Sequence, residues 1–141
     1  MRTSLSAPEI AARLRLSATR LARRLRQESN AGLSPSQQSA LAVIANHGPL
    51  TLGTLADHER VAPPTITKVV SKLECDGLVT RTPDPADRRV CRVAISPAGD
   101  ALLEESRRRK TAWLTARISQ LDADRQRRLA DALDVLDELI S

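Results

Sequence analysis

The chain has 141 residues, and its 22 basic and 17 acidic side chains give a net charge of +5. Hydrophobic residues make up 41% of the sequence, which is enough for a compact core and argues against a globally disordered chain. A single Trp is the only aromatic residue, which argues against a module that stacks single-stranded bases on aromatic platforms. The basic balance is compatible with a nucleic-acid partner.

The cysteines and histidines limit the redox and metal chemistry that the chain can perform. Cys75 and Cys91 form neither a disulfide scaffold nor a CxxC motif, and together with His47 and His58 they lack the spacing of a zinc site. We therefore expect no cofactor and no bound metal. Because one cysteine falls in a predicted helix and the other in a predicted strand, we expect both thiols to be buried and unreactive.

The N-terminal residues lack the apolar core of a signal peptide, and no apolar run reaches the length of a membrane helix. These features predict a soluble cytoplasmic protein with no membrane partner.

Capping residues mark where the helices begin. Ser6-Ala7-Pro8-Glu9 and Ser34-Pro35-Ser36-Gln37 each combine a Ser cap, a Pro in the first turn and a Glu or Gln at the third position. Ser96-Pro97 repeats the cap and the proline, and Thr51 can cap a short helix. The helix stops follow periodic apolar stretches at Gly32, Gly48-Pro49 and Gly77.

Hydrophobic periodicity assigns the elements between these marks. Four helices precede Gly77, and their apolar stripes are Ile10, Leu14, Leu21 and Leu25; Leu41, Ile44 and Ala45; Leu52, Leu55 and Ala56; and Ile66, Val69, Val70 and Leu73. Residues 78–82 and 90–95 then alternate as strands around a Pro/Asp-rich turn, which predicts a β-hairpin. Two further helices follow, the last with Leu129, Leu133, Leu136 and Ile140 at heptad spacing.

This order of elements predicts a mainly α fold with a small β-hairpin wing, that is, a winged helix-turn-helix core with dimerisation helices at both ends. We place an N-terminal dimerisation helix in residues 1–33, the winged DNA-binding core in 34–97 and C-terminal dimerisation helices in 98–141. The leucine-rich stripes outside the core need burial, and a symmetric partner supplies it. Packing of these helices on their own core alone is the alternative.

The fourth predicted helix, over residues 63–76, carries the candidate base-reading face. A helix-turn-helix lays its second helix in the major groove of double-stranded DNA. With the apolar stripe turned inward, the outer face has hydroxyls and lysines and meets no carboxylate before Glu74, whereas an ordinary solvated face, the alternative, normally mixes charge signs. The candidate contact residues are Pro64, Thr65, Thr67, Lys68, Ser71 and Lys72.

The hairpin tip adds Arg88 and Arg89, with Arg92 further along the strand. A narrow arm that carries arginine suits the minor groove, whose negative potential deepens where the groove narrows. A charged turn is common in isolation, but directly after a helix-turn-helix the pattern favours DNA.

The excess of positive charge lies outside the winged core, because residues 1–33 hold seven arginines against two glutamates. That first helix contacts flanking phosphates, balances acidic residues of the last helix across a dimer, or is solvated.

Two segments resemble the MarR (multiple-antibiotic-resistance regulator) family. Leu73-Glu74-Cys75-Asp76-Gly77-Leu78-Val79-Thr80-Arg81 is similar to the end of that family's recognition helix and its first wing strand. Asp84-Pro85-Ala86-Asp87-Arg88-Arg89, running on to Val93-Ala94-Ile95-Ser96-Pro97-Ala98-Gly99, resembles its wing signature, in which Asp-x-Arg precedes a strand ending Leu-Thr-x-x-Gly. Here that ending reads Ile-Ser-Pro-Ala-Gly.

The resemblance covers almost the whole chain and implies a homodimeric transcriptional regulator, usually a repressor, often released by a small phenolic or lipophilic ligand. We expect its DNA site to be a palindrome with half-sites about one helical turn apart. The resemblance also implies that Asp87 braces the wing turn and that Arg89 enters the minor groove. Asp87 can orient an arginine such as Arg89 through a bidentate pair. A simple turn-forming aspartate is the alternative.

The sequence leaves the ligand site and two other functions open. Candidate polar anchors for an apolar ligand pocket are Arg13, Arg20, His47 and Trp113, although a helix-end role for His47 and a packing role for Trp113 are alternatives. A winged-helix protein-interaction module without DNA binding stays open, as does a redox-responsive regulator acting through Cys75 or Cys91. We expect no enzymatic activity, because the sequence has no Gly-rich phosphate loop and no catalytic constellation.

Overall fold

The computed structural model describes residues 4–29 and 32–141, so residues 1–3, 30 and 31 of the predicted segment 1–33 lie outside it. The described residues form six helices and a small antiparallel sheet. This confirms the predicted fold class. The helices are α1 Ala7–Glu28, α2 Pro35–His47, α3 Leu52–Glu59, α4 Pro63–Cys75, α5 Pro97–Ser119 and α6 Ala123–Ile140, and the strands are β1 Leu50–Thr51, β2 Val79–Pro83 and β3 Cys91–Ile95.

The predicted helix caps form the hydrogen bonds expected of them. The Ser34 hydroxyl accepts the Gln37 N–H at 3.2 Å, and the Gln37 side chain accepts the Ser34 N–H at 2.9 Å, a complete capping box. Ser6 and Glu9 form the same reciprocal pair at the start of α1, and these bonds hold the pKa of Glu9 below its usual value. The helices therefore begin where the sequence predicts, because the caps satisfy backbone donors locally.

The sheet contains one strand that the sequence analysis missed. Strands β2 and β3 form the predicted hairpin, with Arg81 opposite Val93. On its other side β3 pairs with β1, which places Leu50 opposite Val93 and gives the order β1-β3-β2. Two residues are too few to show an alternating pattern, so β1 has no sequence signal.

The described chain forms two compact units. One consists of Ser29–Arg107 and contains the hydrophobic core, which α2, α3, α4 and the sheet build together. Its most buried side chains are Leu41, Ile44, Leu55, Ile66, Val70, Leu73 and Val93. No helix in the described part of the chain is long and apolar enough to cross a membrane.

The other unit consists of the chain up to Glu28 together with Arg108–Ser141. Neither α1 nor α6 contains a buried residue. Large apolar side chains are exposed on both helices instead, among them Ile10, Leu16, Leu21, Leu129, Leu133, Val135, Leu139 and Ile140.

A tight junction joins the end of α4 to the hairpin. Gly77 takes a φ of +75° after the helix, and the Leu78 N–H returns to the Leu73 carbonyl at 2.9 Å, which is a Schellman ending with both leucines buried. Directly after β3, the Ser96 hydroxyl donates to the Gly77 carbonyl at 2.6 Å and accepts the Gly99 N–H at 3.1 Å. The start of α5 is thereby fixed against the end of α4.

Gly99 is required for this junction. A Cβ on Gly99 would collide with the Leu78 carbonyl oxygen and lie 2.7 Å from Ile95. The Ser-Pro-Ala-Gly segment that resembles the family wing signature therefore has a packing role, because its serine caps α5 and its glycine allows close approach of the backbone.

Candidate nucleic-acid interface

Helix α4 presents the face that the sequence predicts. Ile66, Val70 and Leu73 are buried in the core, and Val69 is half-buried. All six candidate contact residues are exposed: Pro64, Thr65, Thr67, Lys68, Ser71 and Lys72. The helix thus keeps one side for packing and leaves a polar side open to solvent.

The two lysines on this face differ in their electrostatic surroundings. Lys72 Nζ lies 3.2 Å from Asp76 Oδ1, one helical turn away, so its charge is partly compensated. Lys68 is exposed and has no ion-pair or hydrogen-bond partner within residues 4–29 and 32–141. Thr67 donates its hydroxyl proton to the Pro63 carbonyl at 2.9 Å, which leaves its methyl group and an oxygen lone pair to face outward.

The first turn of α4, which the structure describes in full, has no free backbone donor. Pro63 and Pro64 lack an N–H group, while the N–H groups of Thr65 and Ile66 both bond to the Ala62 carbonyl, at 3.0 and 3.2 Å. Ala62 provides no side-chain cap. Anion contacts at this helix start must therefore come from side chains.

Arg81 of β2 attaches the hairpin to α4, a role that sequence reasoning missed. Its Nη2 donates to the Ser71 hydroxyl at 3.2 Å. Its Nε is buried 3.2 Å from Glu74 Oε2 but is not aligned for a hydrogen bond, so that contact is an ion pair. Ser71 is therefore held in place from the hairpin side, and the first acid after Lys68 is neutralised by an arginine.

Asp84 organises the hairpin turn, and its importance was also missed. Its Oδ1 accepts the N–H groups of Ala86 at 2.7 Å and of Asp87 at 3.4 Å, while Arg92 Nε lies 2.6 Å from Oδ2. Only 11% of the Asp84 side chain is exposed. The hydrogen bond from Arg92, followed by that from the Ala86 N–H, holds the pKa of Asp84 below its ordinary value. Arg92 is consequently held by Asp84 where the paired strands meet the turn, whereas Arg88 and Arg89 lie within the turn itself.

Asp87 and Arg89 form the pair predicted at the tip. Arg89 Nε lies 3.2 Å from Asp87 Oδ1 and Nη2 lies 3.4 Å from Oδ2, and the Arg89 N–H also bonds to Oδ1. These bonds, the side-chain contact first, lower the pKa of Asp87. The Arg89 side chain is 92% exposed, and Arg88 beside it is exposed as well. The tip thus offers two arginines to solvent, one of them oriented by a carboxylate.

The four residues proposed as ligand anchors belong to three different helices, α1, α2 and α5. Arg13 and Arg20 are exposed on α1. His47 is exposed at the end of α2 and stacks on His58 of α3, with 4.6 Å between the ring centroids. Trp113 is half-buried, and two guanidinium groups lie over its ring, those of Arg24 at 5.5 Å and Arg117 at 5.0 Å.

A cavity of about 440 Å³ lies elsewhere, between α1 and α6. None of the four anchor candidates lines it. Its polar group is Arg15, one turn from Ala11 and Ala18 on the same helix, and its apolar wall includes Ile10, Leu14 and Leu139.

The expectation that both cysteines are buried is wrong. Cys75 and Cys91 are exposed free thiols. Cys75 is the last residue of α4 and lies off the apolar stripe, and Cys91 pairs with Pro83 at the end of the hairpin beyond the core. Within residues 4–29 and 32–141, no three His, Cys, Asp or Glu side chains converge as metal ligands would.

Helices α2, α3 and α4 pack together, the polar face of α4 is exposed, and a hairpin with arginines at its tip follows. This arrangement defines a winged helix-turn-helix transcription regulator. The sequence profile of the MarR family matches residues 33–91. An HTH-type transcriptional regulator of Mycobacterium leprae is 41% identical over 132 residues, covering 93% of this chain and 92% of the relative. The chain therefore belongs to the MarR family and is a DNA-binding transcriptional regulator.

Solved structures agree with this assignment. A transcriptional regulator from Thermotoga maritima has a TM-score of 0.80 and 30% identity, with 93% of both chains covered. A MarR family protein from Bacillus stearothermophilus has a TM-score of 0.77 and 25% identity, covering 97% of this chain and 99% of that one.

Proposed function

We propose that the protein acts as a homodimeric repressor that binds a palindromic site in double-stranded DNA, with α4 in the major groove and the hairpin tip in the minor groove. The observation that carries this proposal is the exposed α4 face, on which Lys68 stands without a partner in the described chain and every acid up to Asp76 is paired with a cation. The contact residues are those of α4 together with Asp87, Arg88 and Arg89 of the wing.

The terminal helices support a dimer. Helices α1 and α6 bury no residue in the single chain, although they carry large apolar side chains. Leu133 is 52% exposed and Ile140 is 83% exposed. An apolar surface of this kind on a folded protein normally marks an interface, and a two-fold partner covers the same surface on both chains. Two copies of α4 then face two half-sites about one helical turn apart.

A small ligand that releases the protein from DNA is part of the proposal. The cavity between α1 and α6 is walled by aliphatic side chains and offers Arg15 as a cation. Its volume of about 440 Å³ falls within the range of small-molecule sites. A lipophilic compound with an acidic group suits this combination. A thermal-shift screen of such compounds tests this proposal, since selective binding to the folded state raises Tm. If the compounds leave the Tm of the wild-type protein unchanged, as they do that of Arg15→Gln, the result counts against this cavity.

Genome-wide recovery of bound DNA fragments tests the main proposal. The expected result is one shared inverted repeat, present upstream of regulated genes. If each protomer contacts about four phosphates, log Kd should change with log salt at a slope of magnitude near 7, from roughly 0.9 per contact. Recovery of random fragments with no common site would favour the alternative, a winged-helix module that binds another protein.

A second candidate function is release from DNA by oxidants, and the exposure of Cys75 and Cys91 favours it. A peroxide oxidises a thiol to a sulfenic acid and is itself reduced to water or an alcohol. We expect peroxide to weaken DNA binding by the wild-type protein and to leave the Cys75→Ser/Cys91→Ser double variant unaffected. Equal affinity of the wild-type protein before and after oxidation would remove this candidate.

A further inference from the structure

The turn between α3 and α4 contains a backbone conformation that its residue does not favour. Arg60 ends α3 with φ 55° and ψ 44°, in the left-handed region. Its N–H bonds back to the carbonyls of Ala56 and Asp57, so the conformation is part of the helix ending. Glycine adopts this region at no steric cost, whereas a residue with a Cβ does not. The described chain has positive φ elsewhere only at Gly32 and Gly77.

An arginine at a position that suits glycine needs a reason, and packing does not supply one. Arg60 is exposed and its guanidinium has no ion-pair or hydrogen-bond partner within the part of the chain that the structure describes. The polar neighbours that precede it are engaged with α2, because Glu59 accepts the Ser39 hydroxyl at 2.9 Å and His58 stacks on His47. Asp57, three residues before Arg60 on α3, is an exposed acid, but it forms no ion pair with Arg60.

The charge pattern that follows Arg60 along the chain favours an anion. From Arg60 to Leu73 every ionisable side chain is basic. The start of α4 has lost the backbone donors with which a helix N-terminus usually binds phosphate, since two prolines occupy its first positions and Ala62 takes the next two N–H groups. A cation immediately before the helix can replace those donors.

We propose that Arg60 binds a DNA phosphate at the entrance of α4, and that the chain tolerates a left-handed arginine in this turn because its guanidinium makes that contact. This inference rests on the proposed DNA-binding function. Arg60 acts here as a positioning contact that is independent of base sequence, so it sets affinity and orientation in the groove while α4 reads the bases.

The test compares Arg60→Gly with Arg60→Lys in the full-length protein, using a duplex recovered by genome-wide selection. Glycine relieves the backbone and removes the cation, so Tm is expected to stay equal or rise while affinity falls about tenfold. The salt slope should lose about 0.9 for each phosphate contact removed. Lysine keeps the charge and is expected to retain most of the affinity. Arg127→Gln on α6 removes the same charge from an exposed site and serves as the control for net charge.

The outcomes separate this inference from the function beneath it. Wild-type affinity and slope in Arg60→Gly, or a loss of affinity with an unchanged slope, overturns the phosphate contact while DNA binding by the wild-type protein stands. An equal loss in Arg127→Gln also overturns it, because net charge alone then explains the effect. If the wild-type protein prefers no duplex, the proposed function fails and the Arg60 contact fails with it.

Discussion

The carboxylate of Asp84 lies 2.6 Å from Nε of Arg92, where the two hairpin strands meet the turn, and also accepts two N–H groups of that turn. One largely buried side chain thus holds both strands and the tip. The two tip arginines depend on this arrangement for their position, although Asp84 itself lies below them.

Replacing Asp84 with Asn should therefore loosen the wing. We expect weaker DNA binding with an unchanged dimer, because the ion pair to Arg92 is lost and the remaining amide oxygen is a weaker acceptor for the N–H groups of the turn. Affinity measured by fluorescence anisotropy and mass by light scattering check this prediction. Asp131→Asn, an exposed aspartate of α6, is the matched control, and an equal effect of both changes would refute the role of Asp84.

The lowered pKa of Asp84 fixes the direction of a pH effect. A carboxylate whose pKa is depressed in the folded state contributes stability above its ordinary value near 3.8, and this contribution disappears as pH falls through the lower folded-state pKa. Acid unfolding of wild-type protein should therefore show a larger loss of stability below pH 4 than Asp84→Asn shows, because Glu9 and Asp87, whose pKa values are also lowered, contribute equally in both proteins. Parallel stability curves for the two proteins in this window would contradict the prediction.

Asp87 separates positioning from simple charge. Asp87→Asn removes an anion close to the DNA, which on net charge alone should tighten binding. If the carboxylate instead aligns Arg89 for the minor groove, the variant should bind several-fold more weakly, most clearly at sites with a narrow A·T-rich minor groove. Anisotropy with A·T-rich and G·C-rich flanks measures this difference. Tighter binding by Asp87→Asn would show that the pair has no positioning role.

The two lysines of α4 should contribute unequally. Lys68→Gln removes a cation that has no partner in the described chain, whereas Lys72→Gln removes one already paired with Asp76. We expect the Lys68 variant to lose about tenfold or more in affinity, in line with about 1–3 kcal/mol for a good base contact. The Lys72 variant should lose less. The reverse order would show that α4 lies in the groove differently from the orientation proposed above.

Gly99 offers a test of the fold without reference to DNA. Gly99→Ala forces a methyl group against the Leu78 carbonyl and should destabilise the protein by about 1–3 kcal/mol. Gly53→Ala is the control, because its new Cβ meets only Thr51 Oγ1 at 4.0 Å and a helical alanine is favoured over glycine by up to about 1 kcal/mol. Denaturant midpoints measure both. Equal stability of the two variants would contradict the close packing at Gly99.

Much of this architecture was predictable because local signals and burial agree. The Ser34 cap, the α4 stripe and the Asp87–Arg89 pair involve residues at most four apart, and side chains at such spacing meet whatever the rest of the chain does. The contacts that were missed join distant residues. Arg81 reaches Ser71 ten residues away, Asp84 reaches Arg92 eight residues away, and β1 pairs with β3 through Leu50 and Val93.

The cysteines show a prediction that was made and is wrong, in contrast to the contacts that were missed. Residue type and element predicted burial, but Cys75 lies off the apolar stripe and Cys91 lies past the edge of the core. For Cys75 the helical period itself indicates exposure, and residue type was the misleading signal. For Cys91 exposure depends on where β3 ends relative to the core, which an alternating pattern does not encode. The ligand anchors stay predictions. The cavity where α1 and α6 meet is lined by Arg15 and not by Arg13 or Arg20.

The central claim is sequence-specific binding of double-stranded DNA through α4 and the wing. The most direct measurement is the affinity of the full-length protein for its selected site against a scrambled duplex of the same composition, at one physiological salt concentration. We expect at least about 10³-fold tighter binding to the selected site, and we expect Lys68→Gln and Arg89→Ala to reduce this preference. Equal affinity for the two duplexes would contradict it.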